Sequence, residues 1–135
     1  MSQEAVDVVR RWSDRLEAGD PGVELCSPDI EIRNWPESPI PGPFQGHDGV
    51  RRWWDAVTDP DAGMDVQLFC LQEVIEVDEH RVVAIQRARA RGRSSGVEIV
   101  DRLWGAVVTV RDGRVISAMG YATPDEAKHA AGLPE

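Results

Sequence analysis

The feature that most constrains this chain is a series of long β patterns in its second half. Apolar and polar residues alternate over four segments separated by short breaks, residues 64–77, 81–91, 97–110 and 115–121. Such alternation is typical of β-strands, whose successive side chains point to opposite faces of a sheet. The pair Asp112-Gly113 between the last two segments is typical of a two-residue hairpin turn. The sequence therefore predicts four long antiparallel strands.

The first half of the chain carries the helical signals. Apolar residues spaced four, three and four apart predict one helix, namely Ala5, Val9, Trp12 and Leu16. A short helical turn over residues 23–26 and a strand over residues 29–35 follow, and then a proline-rich segment over residues 36–46. A second helix is predicted to begin at Gly46 and to bury Val50, Trp53, Trp54 and Val57.

A last short helix is predicted at the C-terminal end. Thr123 is a capping residue, Pro124 takes the first helical position, and Glu126 can complete a capping box. This helix should run through Ala131 and stop at Gly132.

Together these elements predict an α+β fold in a single domain over residues 1–135. We expect a cone-shaped, curved, antiparallel (mixed) sheet with the helices packed on one side, its concave face. A strongly bent sheet covered in this way leaves an apolar pocket in its mouth, where a small apolar ligand would bind.

Charge and hydropathy exclude several other functions. The chain has 24 acidic and 15 basic residues, a formal charge of −9, which repels nucleic acids and acidic lipids. No stretch approaches the roughly 20 apolar residues that a membrane-spanning helix needs. We therefore expect no nucleic-acid partner, no membrane association and a cytoplasmic location.

Several short motifs give the chain a family resemblance. They are Leu16-Glu17-Ala18-Gly19-Asp20, Ser27-Pro28-Asp29-Ile30-Glu31-Ile32, Gly46-His47-Asp48-Gly49-Val50 and the hairpin around Asp112-Gly113. With the C-terminal helix, they resemble the SnoaL-like branch of the nuclear transport factor 2-like superfamily. The resemblance implies a cone-shaped α+β domain, a homodimer through the outer sheet face and a hydrophobic pocket. Ketosteroid isomerases, polyketide cyclases and limonene epoxide hydrolase-like enzymes use such pockets without a cofactor.

The resemblance also indicates which residues to test against each chemistry. In ketosteroid isomerases an Asp is the base, while a Tyr and a protonated Asp hold the oxyanion. The corresponding positions are Asn34, Trp12 and Ala106, and an amide cannot act as a general base, so that mechanism is not expected. The cyclases carry an Asp after the last strand, which makes Asp125 a candidate.

Strand parity selects further candidates. Epoxide hydrolysis needs an Asp-Arg-Asp set, but Asp101 and Arg102 are neighbours in a strand and should point to opposite faces. If Ala106 faces the pocket, Arg102 and Trp104 share its face.

The strand over residues 81–91 alternates small residues with arginines. We expect Gln86 to face inward. Arg87, Arg89, Arg91 and Arg93 should face outward as a solvated or dimer-contact ladder that pairs across strands with Asp101 and Glu98.

The remaining candidates give two hypotheses. His47 begins a helix beside the proline-rich segment and could act as an acid or base, whereas three scattered histidines predict no metal site. In the catalytic hypothesis Arg102 or Gln86 polarises a substrate oxygen, and His47 or Asp125 carries a proton. The ligand-binding candidates are Asn34, Trp12, Trp35, Trp54, Gln86, Trp104 and Ala106. The alternative is a non-catalytic ligand-binding or dimerisation module.

The outer face of the sheet is the expected dimer interface. Ile99, Leu103 and Val107 share a parity opposite to Ala106. On a monomer they would form an exposed apolar patch.

Overall fold

The computed structural model describes residues 3–38, 40–58, 65–91 and 99–133. Its helices are α1 (Gln3–Glu17), α2 (Gly46–Thr58) and α3 (Pro124–Ala130), with a short 3-10 turn over Val23–Leu25. Its strands are β1 (Cys26–Arg33), β2 (Phe44–Gln45), β3 (Asp65–Glu76), β4 (Arg81–Arg91), β5 (Ile99–Arg111) and β6 (Arg114–Tyr121). The predicted strand ends at Met64 and Val97 lie outside the described residues.

The six strands form one curved, unclosed sheet in the order β2-β1-β6-β5-β4-β3. β3, β4, β5 and β6 are antiparallel neighbours, as the sequence predicts, whereas β1 pairs parallel with β6. The predicted α+β class with a mixed sheet is confirmed. The two-residue β2 was not predicted, because it is defined by its pairing with β1 and not by an alternation of its own.

Local signals predicted the turns and caps well. Asp112 and Gly113 both have positive φ, 52° and 75°, which is the left-handed conformation that a type I′ hairpin requires. The Thr123 side chain accepts a hydrogen bond from the Glu126 N–H, and Pro124 stands at the start of α3.

The helices cover both faces of the sheet. α1 and α2 pack on the inner, concave face, and with it they bury most of the hydrophobic core. α3 packs on the opposite, outer face, where Ala127 contacts the apolar cluster of Val83, Ile85 and Val107. The expectation that all helices lie on one side is therefore corrected for α3.

A close approach at Gly105 explains where α3 packs. A Cβ atom on Gly105 would lie 2.7 Å from the Ala127 Cβ and 3.2 Å from the Pro124 Cα. Only glycine therefore lets α3 pack this closely on β5.

The outer face also carries charge. Arg87 donates two hydrogen bonds to Asp101, of 2.9 and 2.8 Å, and Arg89 lies 3.4 Å from the same carboxylate. The predicted pairing with Asp101 is confirmed for Arg87 and Arg89, whereas Arg93, Glu98 and the side chain of Arg91 lie outside the described residues. The hydrogen bonds from Arg87 lower the pKa of Asp101 to about 2.

The predicted apolar patch on this face is only partly correct. Leu103 is 46% exposed, but Val107 is buried by α3 and adds nothing to an exposed surface. The side chain of Ile99 lies outside the described residues. Among the described segments, none of the helices is long and apolar enough to cross a membrane.

Candidate functional site

The inner face and the two helices that cover it enclose a cavity of about 30 Å³. α1, α2 and every strand except the short β2 contribute to its wall. Its floor consists of small residues from three neighbouring strands: Ala84, Ala106, Ala118 and Gly120. Space remains between helix and sheet because these residues have little or no side chain.

Aromatic side chains form much of the rest of the wall. Trp12, Trp53, Phe69 and Trp104 line the cavity, and their rings belong to one continuous series of contacts. The ring centroids of Trp12 and Trp53 are 5.9 Å apart, and those of Phe69 and Trp104 are 5.7 Å apart. Trp54 connects the two pairs from behind, at 5.6 Å from Trp53 and 5.7 Å from Phe69, without lining the cavity.

The polar lining is uncharged. Three polar side chains reach the cavity, those of Ser13, Asn34 and Gln86. The described lining includes no carboxylate, imidazole, thiol, phenol or cationic side chain. It can therefore donate and accept hydrogen bonds, but it does not itself supply a general acid or base.

The mouth of the cavity lies between Asn34 and Trp104. Of the described lining residues, only these two are half-buried, and the others are buried. Both lie over Gly120, where an added Cβ atom would overlap the Asn34 Oδ1 and lie 3.5 Å from the Trp104 Cζ3.

Asn34 also holds the proline-rich segment in place. Its Nδ2 donates to the Ile40 carbonyl at 2.9 Å, and its backbone N–H donates to the Pro41 carbonyl at 3.0 Å. The side chain therefore joins the cavity mouth to the segment that follows β1.

Arg102 and Trp35 form a polar rim outside the cavity. The Arg102 guanidinium lies 5.8 Å from the centroid of the Trp35 ring and donates to the Ala122 carbonyl at 2.8 Å. Arg102 shares the parity of Trp104, but it is exposed and does not line the cavity. Trp35 likewise stays outside the lining, beside Asn34.

His47 and Asp125 lie away from the cavity. The His47 Nε2 is 2.8 Å from the Cys26 carbonyl oxygen, which can only accept, so Nε2 is the donor. Burial raises the pKa of the Cys26 thiol to about 12, so this cysteine stays protonated. Asp125 is exposed in the first turn of α3, on the outer side of the sheet.

The structure thus brings together five of the ten candidates, Trp12, Asn34, Gln86, Trp104 and Ala106. Sequence reasoning did not identify Ser13 or Phe69 as site residues. Ser13 stands four residues after Val9 in α1, and a polar residue at this apolar spacing would have been the signal. Among the described residues, no cluster of His, Cys, Asp and Glu could hold a metal ion.

Comparison with known proteins agrees with this architecture. The SnoaL-like domain family matches residues 9–118 of the chain. Among proteins of curated function, none shows significant sequence similarity to it.

Solved structures extend the agreement to the fold. Bal32a, from a soil-derived mobile gene cassette, matches with a TM-score of 0.74 and 22% identity over 88% of each chain. TerC, co-crystallised with polyporic acid, matches with a TM-score of 0.71 and 18% identity over 96% of this chain and 98% of its own. A Catenulispora acidiphila protein with a ketosteroid isomerase-like fold, in complex with trimethylamine, matches with a TM-score of 0.70 and 13% identity over 95% of this chain and 94% of its own. At these identities the likeness establishes the fold alone.

The hydrogen bond from the Asn34 side chain to the Ile40 carbonyl leads to a pH-dependent prediction. In Asn34→Asp an ionised carboxylate would face the Ile40 carbonyl, whereas a protonated one can still donate to it. The pKa of this Asp should therefore be higher in the folded state than its unfolded value of about 3.9. Below that value the variant should be nearly as stable as wild type. As pH rises through the folded pKa, the free energy of unfolding of the variant should fall by about 1–3 kcal/mol.

Urea unfolding at several pH values, taken as the difference from wild type, measures this effect. Asn34→Ala is the matched control, because it removes the hydrogen bond without adding a charge. Its difference from wild type should not change with pH. The same pH dependence in both variants would contradict the predicted role of the hydrogen bond between Asn34 and Ile40.

Proposed function

Because this chain belongs to the SnoaL-like domain family, we propose that it binds a small, largely apolar molecule on the inner face of its sheet. The observation that carries the proposal is the cavity with an aromatic wall, a floor of small residues and a mouth at Asn34 and Trp104. Binding sites for small molecules are typically concave and mostly apolar, with a few polar groups. TerC and the Catenulispora protein were both crystallised with small organic molecules.

The size of the cavity indicates how a ligand would be accommodated. A water molecule needs about 10–15 Å³ of such volume, so 30 Å³ holds about two waters. An organic molecule must therefore move part of the wall. Trp104 is the aromatic lining residue that is only half-buried, so we propose that it turns outward when a ligand enters.

A catalytic role is the second candidate function. In this version the protein transfers a proton, cyclises or hydrolyses its ligand without a metal or cofactor. Arg102 or Gln86 polarises a substrate oxygen, and Asn34 and Trp104 orient it. Arg102 favours this version because its guanidinium lies on the cavity side of β5, at the rim beside Trp35. His47 or Asp125 would carry a proton only for a substrate that extends out of the cavity.

The proposal also includes a homodimer in the cytoplasm. Leu103 is a large apolar side chain exposed on the outer face, as a dimer contact would require. Both cysteines are free thiols, which is typical of a reducing compartment.

Ligand binding is tested first by native mass spectrometry of the purified protein, which should show a co-purified small molecule. In a titration with that molecule, Trp104→Phe should lose part of the fluorescence quenching seen in wild type, because Trp104 lines the mouth while Trp12 and Trp53 line the rest of the cavity. Trp35→Phe is the matched control and should keep it, because Trp35 lies outside the lining. Equal quenching in all three proteins would place the ligand elsewhere.

Catalysis is tested by offering steroid, polyketide and epoxide substrates to wild type and Arg102→Ala. If the protein is catalytic, the variant should stay folded and should lose about 10²-fold in kcat, the typical effect of removing one oxyanion donor. Arg114→Ala, an exposed arginine at the far hairpin, should keep its activity. Unchanged turnover in Arg102→Ala would remove Arg102 from the mechanism. No turnover by wild type would leave binding as the function.

The dimer is tested by sedimentation at micromolar protein concentration. Wild type should sediment at about twice 15.0 kDa. Leu103→Glu should shift the monomer–dimer equilibrium toward the monomer, because it places a charge in the interface. Asp29→Lys, a charge change at an exposed site on β1, serves as the control. A wild-type monomer at this concentration would eliminate the interface.

A further inference from the structure

One polar atom in the cavity has no partner. Gln86 is 6% exposed, it lines the cavity, and its Oε1 is buried without a hydrogen bond. Among the described residues it is the only buried side-chain oxygen or nitrogen in this condition. Buried polar groups in proteins are almost always hydrogen-bonded, so an unpaired one calls for an explanation.

No described group donates a hydrogen bond to the Gln86 Oε1. Across the sheet its register partners are Leu71 on β3 and Trp104 on β5. Two other lining side chains direct an N–H to backbone carbonyls instead: Trp12 to Pro21 at 2.8 Å and Asn34 to Ile40 at 2.9 Å. A molecule that occupies the cavity can therefore supply the donor that the Gln86 Oε1 lacks.

The occupant must also suit the rest of the wall. Apart from Ser13, Asn34 and Gln86, the described lining is apolar or aromatic. A charged ligand would lose its hydration there without gaining a counter-ion, because the described lining carries no charge. A compact neutral ring system with one polar substituent matches these surroundings.

We infer that Gln86 is a specificity-determining residue whose Oε1 accepts a hydrogen bond from a hydroxyl or N–H group on a compact aromatic ligand. The inference rests on the proposed function, since it specifies the chemistry of the molecule bound in the same cavity. It assigns Gln86 the role of selecting ligands that can donate over ligands of the same shape that cannot.

The test compares three probes of similar size at millimolar concentration. Phenol carries a donor, toluene replaces the hydroxyl by a methyl group, and benzaldehyde offers only an acceptor. Wild type should bind phenol about tenfold more tightly than toluene or benzaldehyde, because one net hydrogen bond contributes about that factor. Calorimetric titration measures all three affinities.

Substitutions at Gln86 attribute the preference to this side chain. Gln86→Leu should bind toluene at least as tightly as phenol, because it replaces the amide acceptor with an apolar side chain of similar size. Gln86→Met is the second variant for use if Leu does not fit the site. Gln72→Leu makes the same chemical change at an exposed position of β3 and should keep the wild-type preference.

The outcomes separate the inference from the proposed function. Binding of all three probes with equal affinity, a preference for benzaldehyde, or an unchanged phenol preference in Gln86→Leu or Gln86→Met overturns the inference and leaves the binding function standing. If none of the three probes binds wild type or any variant, the proposed function fails, and the inference fails with it.

Discussion

The packing of large aromatic side chains against a floor of small ones determines the shape of this protein. α1 and α2 present tryptophans to the inner face of the sheet, which carries alanines and a glycine on the opposite side of the same cavity. Aromatic rings bury a large apolar area and prefer tilted or edge contacts. The small floor residues opposite them leave part of the space unfilled. The cavity is the space that this mismatch leaves, and its walls are therefore part of the hydrophobic core.

The sheet divides the molecule into two chemically different sides. The inner side is an uncharged cavity, whereas the outer side carries α3, the exposed Leu103 and the ion pairs around Asp101. A side chain on one side cannot reach the other through a paired sheet. Asp125 is therefore separated from the cavity by the strands on which α3 packs, and any role for it needs a substrate outside the cavity.

The polar groups of the cavity favour recognition over acid–base chemistry. Amides and hydroxyls hold fixed hydrogen-bonding positions without titrating near neutral pH, so they would orient a bound molecule but would not exchange its protons. The arginine at the rim, Arg102, already contacts a carbonyl and an aromatic ring. A ligand oxygen there would have to share this guanidinium with both.

Sequence alone determined those features that depend on neighbouring residues. The period of two along β4 and β5 places Gln86, Trp104 and Ala106 on one face, and the Asp112-Gly113 turn and Thr123 cap follow from backbone preferences. The tertiary structure decided what depends on residues far apart in the chain: the parallel pairing of β1 with β6, the outer position of α3 and the bond between His47 and Cys26. It alone left Gln86 Oε1 unpaired and kept Arg102 outside the cavity, because a strand pattern specifies a face but not the distance of a side chain from a wall that another element builds.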